Sequence, residues 1–481
     1  MMSGTKKPDT IHEEPPMNLS SMLKARAAAG RPIRIAQVGA GKFGTMFLSQ
    51  VRLTPGMHLA GLADLMPVRA RERLTGVGWP QEQIAAQSLG EALKTGQTFV
   101  TDDALGLIGS PEIDVVIEAT GDPATGIKLA SAAIAHGKHI VMVNVEADAL
   151  AGPLLARRAR DAGVIYSLAW GDQPALICEQ VDWARACGFK VVAAGKGTRY
   201  HPTYHQSTPD TVWDILLQYL PIQDRSHINP KMFNSFLDGT KSGIEMTAVC
   251  NATGLVPQSG GLGFPPATRF ELAEVCKPRT EGGTLEGKGV TEVVSSLYRD
   301  GRDVPHHLAM GTYVVVESDS PYAAQCFVEY NCLQDKSGRY AALYRPTHMI
   351  GLELGISVAS VALRGEPTGT PVCFNSDVVA TAKRPLRKDE MLDGEGGFTV
   401  WGRQVPAEIS LTQGYLPLGL ASDVRLSADV AEGQPLRWSD VAFDATADAV
   451  KVRREMEATF AARPSASSYR RSNAFTRHPG S

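Results

Sequence analysis

Three groups of residues in this chain have types and spacings suited to chemistry. The first is Gly39-Ala40-Gly41-Lys42-Phe43-Gly44, a Gly-x-Gly-x-x-Gly run. It directly follows an apolar strand-like segment and opens a stretch where Phe43, Met46, Phe47 and Val51 recur at helical spacing. In a chain with 47 glycines, that strand-turn-helix context gives the run its meaning. Gly39 permits a tight turn, Gly41 lets a diphosphate approach bare backbone, and Gly44 lets helix and strand pack closely. The helix start, with Lys42 and Phe43 in its first turn, then presents unpaired N–H groups and a positive dipole end to the anion. A dinucleotide is the ligand this arrangement predicts.

The second group would face the same ligand. Asp64 closes the next strand, 20 residues past Gly44, where an acid can hydrogen-bond the adenosine ribose. A carboxylate there favours NAD, whereas Arg69, Arg71 and Arg73 just beyond could receive the 2′-phosphate of NADP. Thr120 and Gly121 follow the apolar run IDVVIEA, and Asn144 ends the strand after it. Ligands of open α/β sheets lie beyond such strand ends. Glu118, an acid inside an apolar strand, needs a partner if buried.

The third group lies in the middle of the chain. Hydride transfer to a carbonyl leaves an alkoxide, which a cation or acid must stabilise or protonate. Lys196, read as part of a flexible Gly195-Lys196-Gly197 turn, and Lys241, within Asp238-Gly239-Thr240-Lys241-Ser242, are the candidates. Asp238 is grouped with them. Arg199, Arg345 and His348 could clamp a phosphate or carboxylate of the substrate. A divalent cation on Asp238 and Glu245 would chelate adjacent substrate oxygens, as a rearrangement requires. His201 and His205 flank Pro202, and His306 and His307 are adjacent, so neither pair reads as a zinc site.

These residues need scaffolding, and the pattern predicts it. Strands over 33–38, 57–63, 113–119, 139–144 and 164–169 alternate with helices, including 123–136 and 149–162. That alternation argues for a doubly wound parallel sheet covered on both faces. A short helix over 20–29 precedes it. Next come a helix over 173–187, a strand over 189–194, strand-like runs at 312–317 and 324–330, and an apolar helix over 349–363. Together they suggest an α+β domain whose long glycine-rich loops can form a binding site. Short strands, glycines and prolines over 377–444 suggest a small β-rich module. The expected division is a disordered leader (1–17), a dinucleotide domain (18–170), an α+β substrate and oligomerisation domain (171–370), the β module (371–445), and a C-terminal helix with disordered tail (446–481).

With 48 basic and 51 acidic residues in 481, the charge balance gives no reason to expect nucleic acid or an anionic membrane as partner. No apolar stretch is long enough to span a bilayer. Seven cysteines without a Cys-x-x-Cys pair, and a polar start, point to a reducing cytoplasm.

IRIAQVGAGKFG, VVIEATG and HIVMVN, in that order, resemble the homoserine dehydrogenase-like Rossmann proteins over about residues 30–170. Homoserine dehydrogenases carry Asn-Lys after the last of these strands; here the sequence is Asn144-Val145-Glu146, which argues against homoserine as substrate. AAGKGTRYHPTYH, LDGTKSGIEM and LYRPTHMIGLE are similar to the 1-deoxy-D-xylulose 5-phosphate reductoisomerase-like branch of that superfamily. RPLRKDEML and YLPLGLASDVRLSADVAEGQPL resemble an SAF domain of β-clip type. The resemblance implies NADPH-dependent reduction, in some members coupled to rearrangement of a phosphorylated sugar. The expectation is an NAD(P)-dependent oxidoreductase for a small polar, sugar-derived hydroxy or keto compound, acting as a homo-oligomer, a dimer above all. Its rivals are a metal-dependent oxidoisomerase and a non-catalytic dinucleotide sensor.

Overall fold

The computed structural model describes residues 18–218 and 229–461; the leader 1–17, residues 219–228 and the tail 462–481 lie outside the described residues. Strands β1 (Ile33–Val38), β2 (Met57–Ala63), β3 (Phe99–Thr101), β4 (Val115–Glu118), β5 (His139–Met142) and β6 (Tyr166–Leu168) form a six-stranded sheet in the order β3-β2-β1-β4-β5-β6. Every adjacent pair is parallel. This is the doubly wound Rossmann sheet, with its switch point between β1 and β4. Its strands are apolar on both faces because both are covered: Val115 and Ile117 enter one core, Val116 the other. Helices α1 (Leu19–Ala28), α2 (Lys42–Val51), α3 (Pro67–Gly76), α4 (Leu89–Thr95), α5 (Ala104–Gly109), α6 (Pro123–Ala135) and α7 (Val145–Asp161) accompany it. α7 begins four residues earlier than the apolar pattern suggests, because the Asn144 side chain accepts the Ala147 N–H and caps it.

After α8 (Gln173–Ala186) come β7 (Lys190–Thr198), α9 (Val212–Leu216), α10 (Pro230–Leu237), α11 (Thr240–Thr253), α12 (Leu272–Val275), β8 (Val290–Ser295), β9 (Thr312–Glu317), α13 (Pro321–Glu329), β10 (Leu333–Gln334), β11 (Tyr340–Arg345) and α14 (Gly355–Ala359). The strands form a five-stranded mixed sheet in the order β10-β11-β9-β7-β8. One face packs on α8 and α11 through Ile177, Val181, Met246 and Val249. The other is covered by Leu272, Cys276 and Leu285.

Two expectations change here. The run 324–330 is helix, not strand: Ser320 caps it by accepting the Ala323 N–H, and Pro321 occupies the first turn. Only Phe327 of that helix is buried, so the apolar run reflects composition, not a two-sided strand. The stretch 349–363 is α-helical only over Gly355–Ala359 and continues as a π-turn over Ser360–Arg364. Before it, Gly351 lies at φ +77° against the Phe43 carbonyl, so the chain there is moulded to α2.

The C-terminal part contains β12 (Ser376–Ala382), β13 (Met391–Asp393), β14 (Val400–Pro406), α15 (Ala407–Gln413), β15 (Ser422–Leu426), β16 (Val441–Ala442) and α16 (Asp448–Ala461). β12 pairs with β14, and β13, β15 and β16 form a second small antiparallel sheet. This β-rich unit does not close its own core. Val145 and Ala149 of α7 and Ile244 and Ala248 of α11 complete it. Among the described residues no helix is long and apolar enough to cross a membrane.

One buried acid in α7 carries a stability prediction. The Tyr166 hydroxyl donates to Asp148 Oδ1 at 2.9 Å, while Oδ2 has no partner among the described residues. Burial pushes this carboxyl up to about 7, the Tyr166 bond only partly offsetting it. A raised carboxyl binds more protons folded than unfolded. Its contribution is therefore full below the unfolded value near 4 and is lost as pH rises through about 7. Between pH 5.5 and 8.5 the slope of stability against pH should be shallower in Asp148→Asn than in the parent. Denaturation midpoints across that range measure it, and parallel curves would contradict it.

Candidate active site

The glycine-rich turn has the shape that anion binding requires. Gly39 sits at φ +98°, and a Cβ there would stand 2.4 Å from the Ala119 carbonyl oxygen. A Cβ on Gly44 would stand 2.5 Å from the Gly39 carbonyl oxygen, so α2 packs directly on the turn. At Gly41 an added Cβ would meet nothing within 4 Å: the backbone faces open space. Gly41 is also the N-cap of α2 and supplies no capping side chain. By contrast, Asp122, Asn144 and Asp172 cap α6, α7 and α8 along the same sheet edge. The α2 terminus thus keeps its N–H groups for an outside anion, and these residues fit a dinucleotide diphosphate.

Asp64 stands beside this turn. Its carboxylate accepts the Ala40 N–H at 2.9 Å and the Met66 N–H at 3.0 Å, holding the turn in place. Arg71 donates to the Ile84 and Val100 carbonyls, whereas Arg69 is exposed. Leu65, Met66 and Val68 are exposed apolar side chains next to Asp64, a surface on which a flat base could rest. Lys42 is exposed, with its ammonium 5.3 Å from the Phe233 ring of α10. Gly121, at φ +77°, is exposed at the end of β4. Thr120 donates its N–H and hydroxyl to Glu118. Asn144 donates to the Asp122 carbonyl at 2.8 Å while capping α7. Burial pushes the Glu118 carboxyl up to about 7 against these hydrogen bonds.

Lys196 is not in a flexible turn: it lies inside β7 and is buried. Its flanking glycines serve close approach, since a Cβ at Gly195 would stand 1.8 Å from the Glu292 carbonyl oxygen and one at Gly197 1.9 Å from that of Leu308. Register places Lys196 opposite Thr312 on β9, and Thr312 opposite Arg345 on β11. Directly opposed residues share a face, so the three side chains leave the sheet toward α8 and α11.

There Lys196 pairs with Glu245 of α11. One turn earlier on α11, Lys241 pairs with Glu146 in the first turn of α7. That pairing brings Lys241 to the carboxyl end of β5, the row that also holds Thr120, Gly121 and Asn144. Asp172, at the start of α8, lies in the field of Glu245, Lys241 and Lys196; burial and Glu245 push its carboxyl upward. Burial disfavours the Lys241 charge, but Glu146, Glu395 and Glu245 outweigh it and hold the ammonium above the usual lysine range. The arrangement can therefore present a protonated amine beside the first turn of α7, at the carboxyl edge of the Rossmann sheet.

The remaining candidates separate. Asp238 pairs with Lys383 at 2.8 Å, and Glu245 with Lys196, so the two acids read as cation ligands are each engaged by an ammonium. Among the described residues no cluster of three His, Cys, Asp or Glu side chains could hold a metal ion. Arg345 pairs with Glu353, and His348 Nδ1 lies 2.8 Å from the Met310 carbonyl oxygen and 3.5 Å from Gln173 Nε2. Both stand near the start of α8. Arg199 forms an ion pair with Asp303 at 2.6 Å. His205 bridges the Tyr200 hydroxyl and the Asp238 carbonyl and stacks on Trp401 at 3.8 Å.

Sequence reasoning missed Asp172, Thr312 and Glu395, and read Glu146 only as a departure from a family pattern. The buried Thr312 hydroxyl has no partner among the described residues. The one sequence signal for Glu395 was its setting, an acid between glycines in Asp393-Gly394-Glu395-Gly396-Gly397.

A parallel Rossmann sheet with an open glycine turn is an architecture that binds dinucleotides, and the molecule adds to it Lys196 on a strand of the second sheet and Lys241 on α11. The chain is related to the NAD(P)-binding dehydrogenase- and reductoisomerase-like proteins. Residues 171–354 match the family model "Oxidoreductase DRL, catalytic domain". Over 95 residues the chain is 37% identical to a homoserine dehydrogenase from Pseudomonas aeruginosa, covering 20% of this chain and 22% of that protein. Over 237 residues it is 27% identical to a 1-deoxy-D-xylulose 5-phosphate reductoisomerase from Stutzerimonas stutzeri, covering 46% of this chain and 56% of that one. The matches thus span about a fifth and just over half of these relatives. Among solved structures, a probable dehydrogenase from Thermotoga maritima aligns over 69% of this chain and 90% of its own at 14% identity and TM-score 0.35. An aldose-aldose oxidoreductase from Caulobacter crescentus aligns over 71% and 92% at 13% identity and TM-score 0.36.

Proposed function

We propose that this chain is an NAD(P)-dependent oxidoreductase that interconverts the hydroxy and keto forms of a small polar, sugar-derived compound, with a phosphorylated ketose or sugar acid as the leading class. The observation that carries this reading is the Lys241–Glu146 pair, which joins the middle domain to the carboxyl edge of the Rossmann sheet. A nicotinamide dinucleotide, when bound, supplies or accepts the hydride. Gly39, Gly41, Lys42, Phe43 and Gly44 would hold its diphosphate, and Asp64 or Arg69 its adenosine ribose. Thr120, Gly121 and Asn144 would border its nicotinamide half.

Lys241 would stabilise and protonate the oxyanion that forms as the carbonyl is reduced. Lys196 would support it from β7, with Thr312 and Arg345 in the same row toward the substrate's polar end. Asp238 belongs to the frame through Lys383. Arg199 and His348 would lie at the margins of the substrate cavity. The SAF-like β module closes the far side of α7 and α11, and a homodimer would cover the remaining sheet surface. The seven cysteines, all free thiols, support a reducing cytoplasm.

A second reading, a reductoisomerase that adds a skeletal rearrangement to the hydride step, is favoured by the match to the Stutzerimonas protein. Turnover of NADPH and NADH with phosphorylated ketoses and sugar acids, with and without Mg²⁺ or Mn²⁺, tests both. Metal-dependent turnover yielding a rearranged skeleton selects the second. Calorimetry should show binding of one coenzyme and its loss in Gly41→Val. Flat traces for both coenzymes with the parent protein would overturn either reading, and binding without turnover would leave the sensor alternative.

A further inference from the structure

The second histidine of the run His201-Pro202-Thr203-Tyr204-His205 reaches the start of α11. It stands half-buried in the short turn Pro202–Gln206. Its Nδ1 lies 2.6 Å from the Asp238 carbonyl oxygen and its Nε2 2.8 Å from the Tyr200 hydroxyl. A carbonyl only accepts, so Nδ1 carries the proton, and Nε2 accepts from Tyr200. Burial holds the ring's pKa below the ordinary histidine value, so the ring is uncharged at neutral pH. The helix start that it meets has no cap of its own. Gly239, at φ +90°, is the N-cap of α11, and a Cβ there would stand 3.1 Å from His205 Cε1. The Asp238 carboxylate accepts the Thr240 N–H at 2.9 Å and pairs with Lys383 at 2.8 Å. The β module holds the same turn. The Gly402 N–H donates to the Thr240 hydroxyl at 2.8 Å, and its neighbour Trp401 stacks on the His205 ring at 3.8 Å. A Cβ on Gly243 would stand 2.8 Å from the Gly402 carbonyl oxygen, so α11 rests directly on β14.

We propose that His205 is a positioning residue for Lys241: by donating to the Asp238 carbonyl and stacking on Trp401, it fixes the first turn of α11 from which the Lys241 ammonium reaches Glu146. This rests on the oxidoreductase reading above, in which Lys241 meets the oxyanion. Lysine is a point charge on a flexible four-carbon stem, so where its backbone is anchored sets where the charge can stand. Lys241 lies in that first turn, and Glu245, one turn on, pairs with Lys196. Both ion pairs therefore take their places from the way α11 begins. A reacting group displaced by about 1 Å can lose about a hundredfold in rate. Trp401, Gly402 and Lys383 make the β module the other half of this clamp.

His205→Ala should lower kcat about tenfold to a hundredfold, with coenzyme affinity by calorimetry unchanged within about twofold. His205→Asn puts an amide N–H where Nδ1 stood and should recover kcat to within about threefold of the parent. His205→Phe keeps a ring for Trp401 but cannot donate, so it should stay as slow as His205→Ala even where its denaturation midpoint is restored. Tyr200→Phe keeps the ring stacked on Phe264 and removes only the hydroxyl that selects the tautomer. It should cost about threefold to tenfold in kcat, and it serves as the second arm if His205→Ala does not fold. Hydrogen exchange at the amides of residues 240–243 reads the clamp without turnover: it should quicken in His205→Ala and slow again in His205→Asn. Exchange unchanged in His205→Ala, kcat within about twofold of the parent in both His205→Ala and Tyr200→Phe, or recovery by His205→Phe as full as by His205→Asn would each overturn the proposal. A parent with no nicotinamide-dependent turnover would instead remove the reading beneath it, and the exchange measurement would still decide whether His205 sets the start of α11.

Discussion

Lys241→Met is expected to lower turnover about a thousandfold while coenzyme affinity stays within about threefold. On the proposed function the ammonium meets the developing oxyanion, whereas the glycine turn proposed for the diphosphate lies on another element, α2. The substitution also leaves the largely covered Glu146 carboxylate without its ion-pair partner, which destabilises on its own account. The double variant Lys241→Met/Glu146→Gln separates the two effects: it should recover stability but not turnover. Steady-state kinetics, coenzyme calorimetry and denaturation of the parent and both variants read this directly. Recovery of activity in the double variant would assign Lys241 a structural role only.

The second large effect is expected far from the glycine turn. Arg453 of α16 is fully buried and grips Asp377 of β12 with both ends of its guanidinium, at 2.6 and 3.1 Å. It also donates to the Leu150 carbonyl of α7 at 3.2 Å and to Glu457 at 2.9 Å. Ser410 donates to the same Asp377 carboxylate at 2.6 Å. Removing one partner leaves a buried charge uncompensated, so Arg453→Met should cost about 3–5 kcal/mol. The double variant with Asp377→Asn should regain much of it. Hydrogen exchange at β12 amides and the denaturation transition followed by Trp438 fluorescence measure the change. A loss under about 1 kcal/mol would show that relaxation or water supplies the missing partner.

The parallel sheet was legible in the sequence because each of its longer strands is apolar on both faces and separated by helical spacing. β3 escaped because Phe99 and Val100 stand between threonines in no longer apolar run, whereas β6, equally short, lies within the apolar stretch 164–169. The glycine turn was legible because its three glycines sit at fixed offsets between a strand and a helix, and each meets a different steric demand. Lys196 was singled out for its glycine flanks, but those glycines admit neighbouring carbonyls rather than bend the chain. The run 324–330 misled because an apolar segment of that length fits strand and helix alike, and its Ser-Pro cap decides between them. Glu146 escaped because its partner Lys241 lies 95 residues away, and no local pattern encodes such a meeting. The β module was legible as short strands and turns, yet nothing local showed that its core would be finished by α7 and α11.

The Arg453 clamp bears on how the molecule is made. The Leu150 carbonyl it holds lies 303 residues upstream. At about 5–20 residues per second, a ribosome that has delivered the first of these takes about 15–60 s to deliver the second. Through that interval α7 has its place on the nascent Rossmann sheet but lacks its far-side lock. The working centre is therefore a late product of biosynthesis, and a chaperone that shields α7 during the wait would raise the yield of active protein.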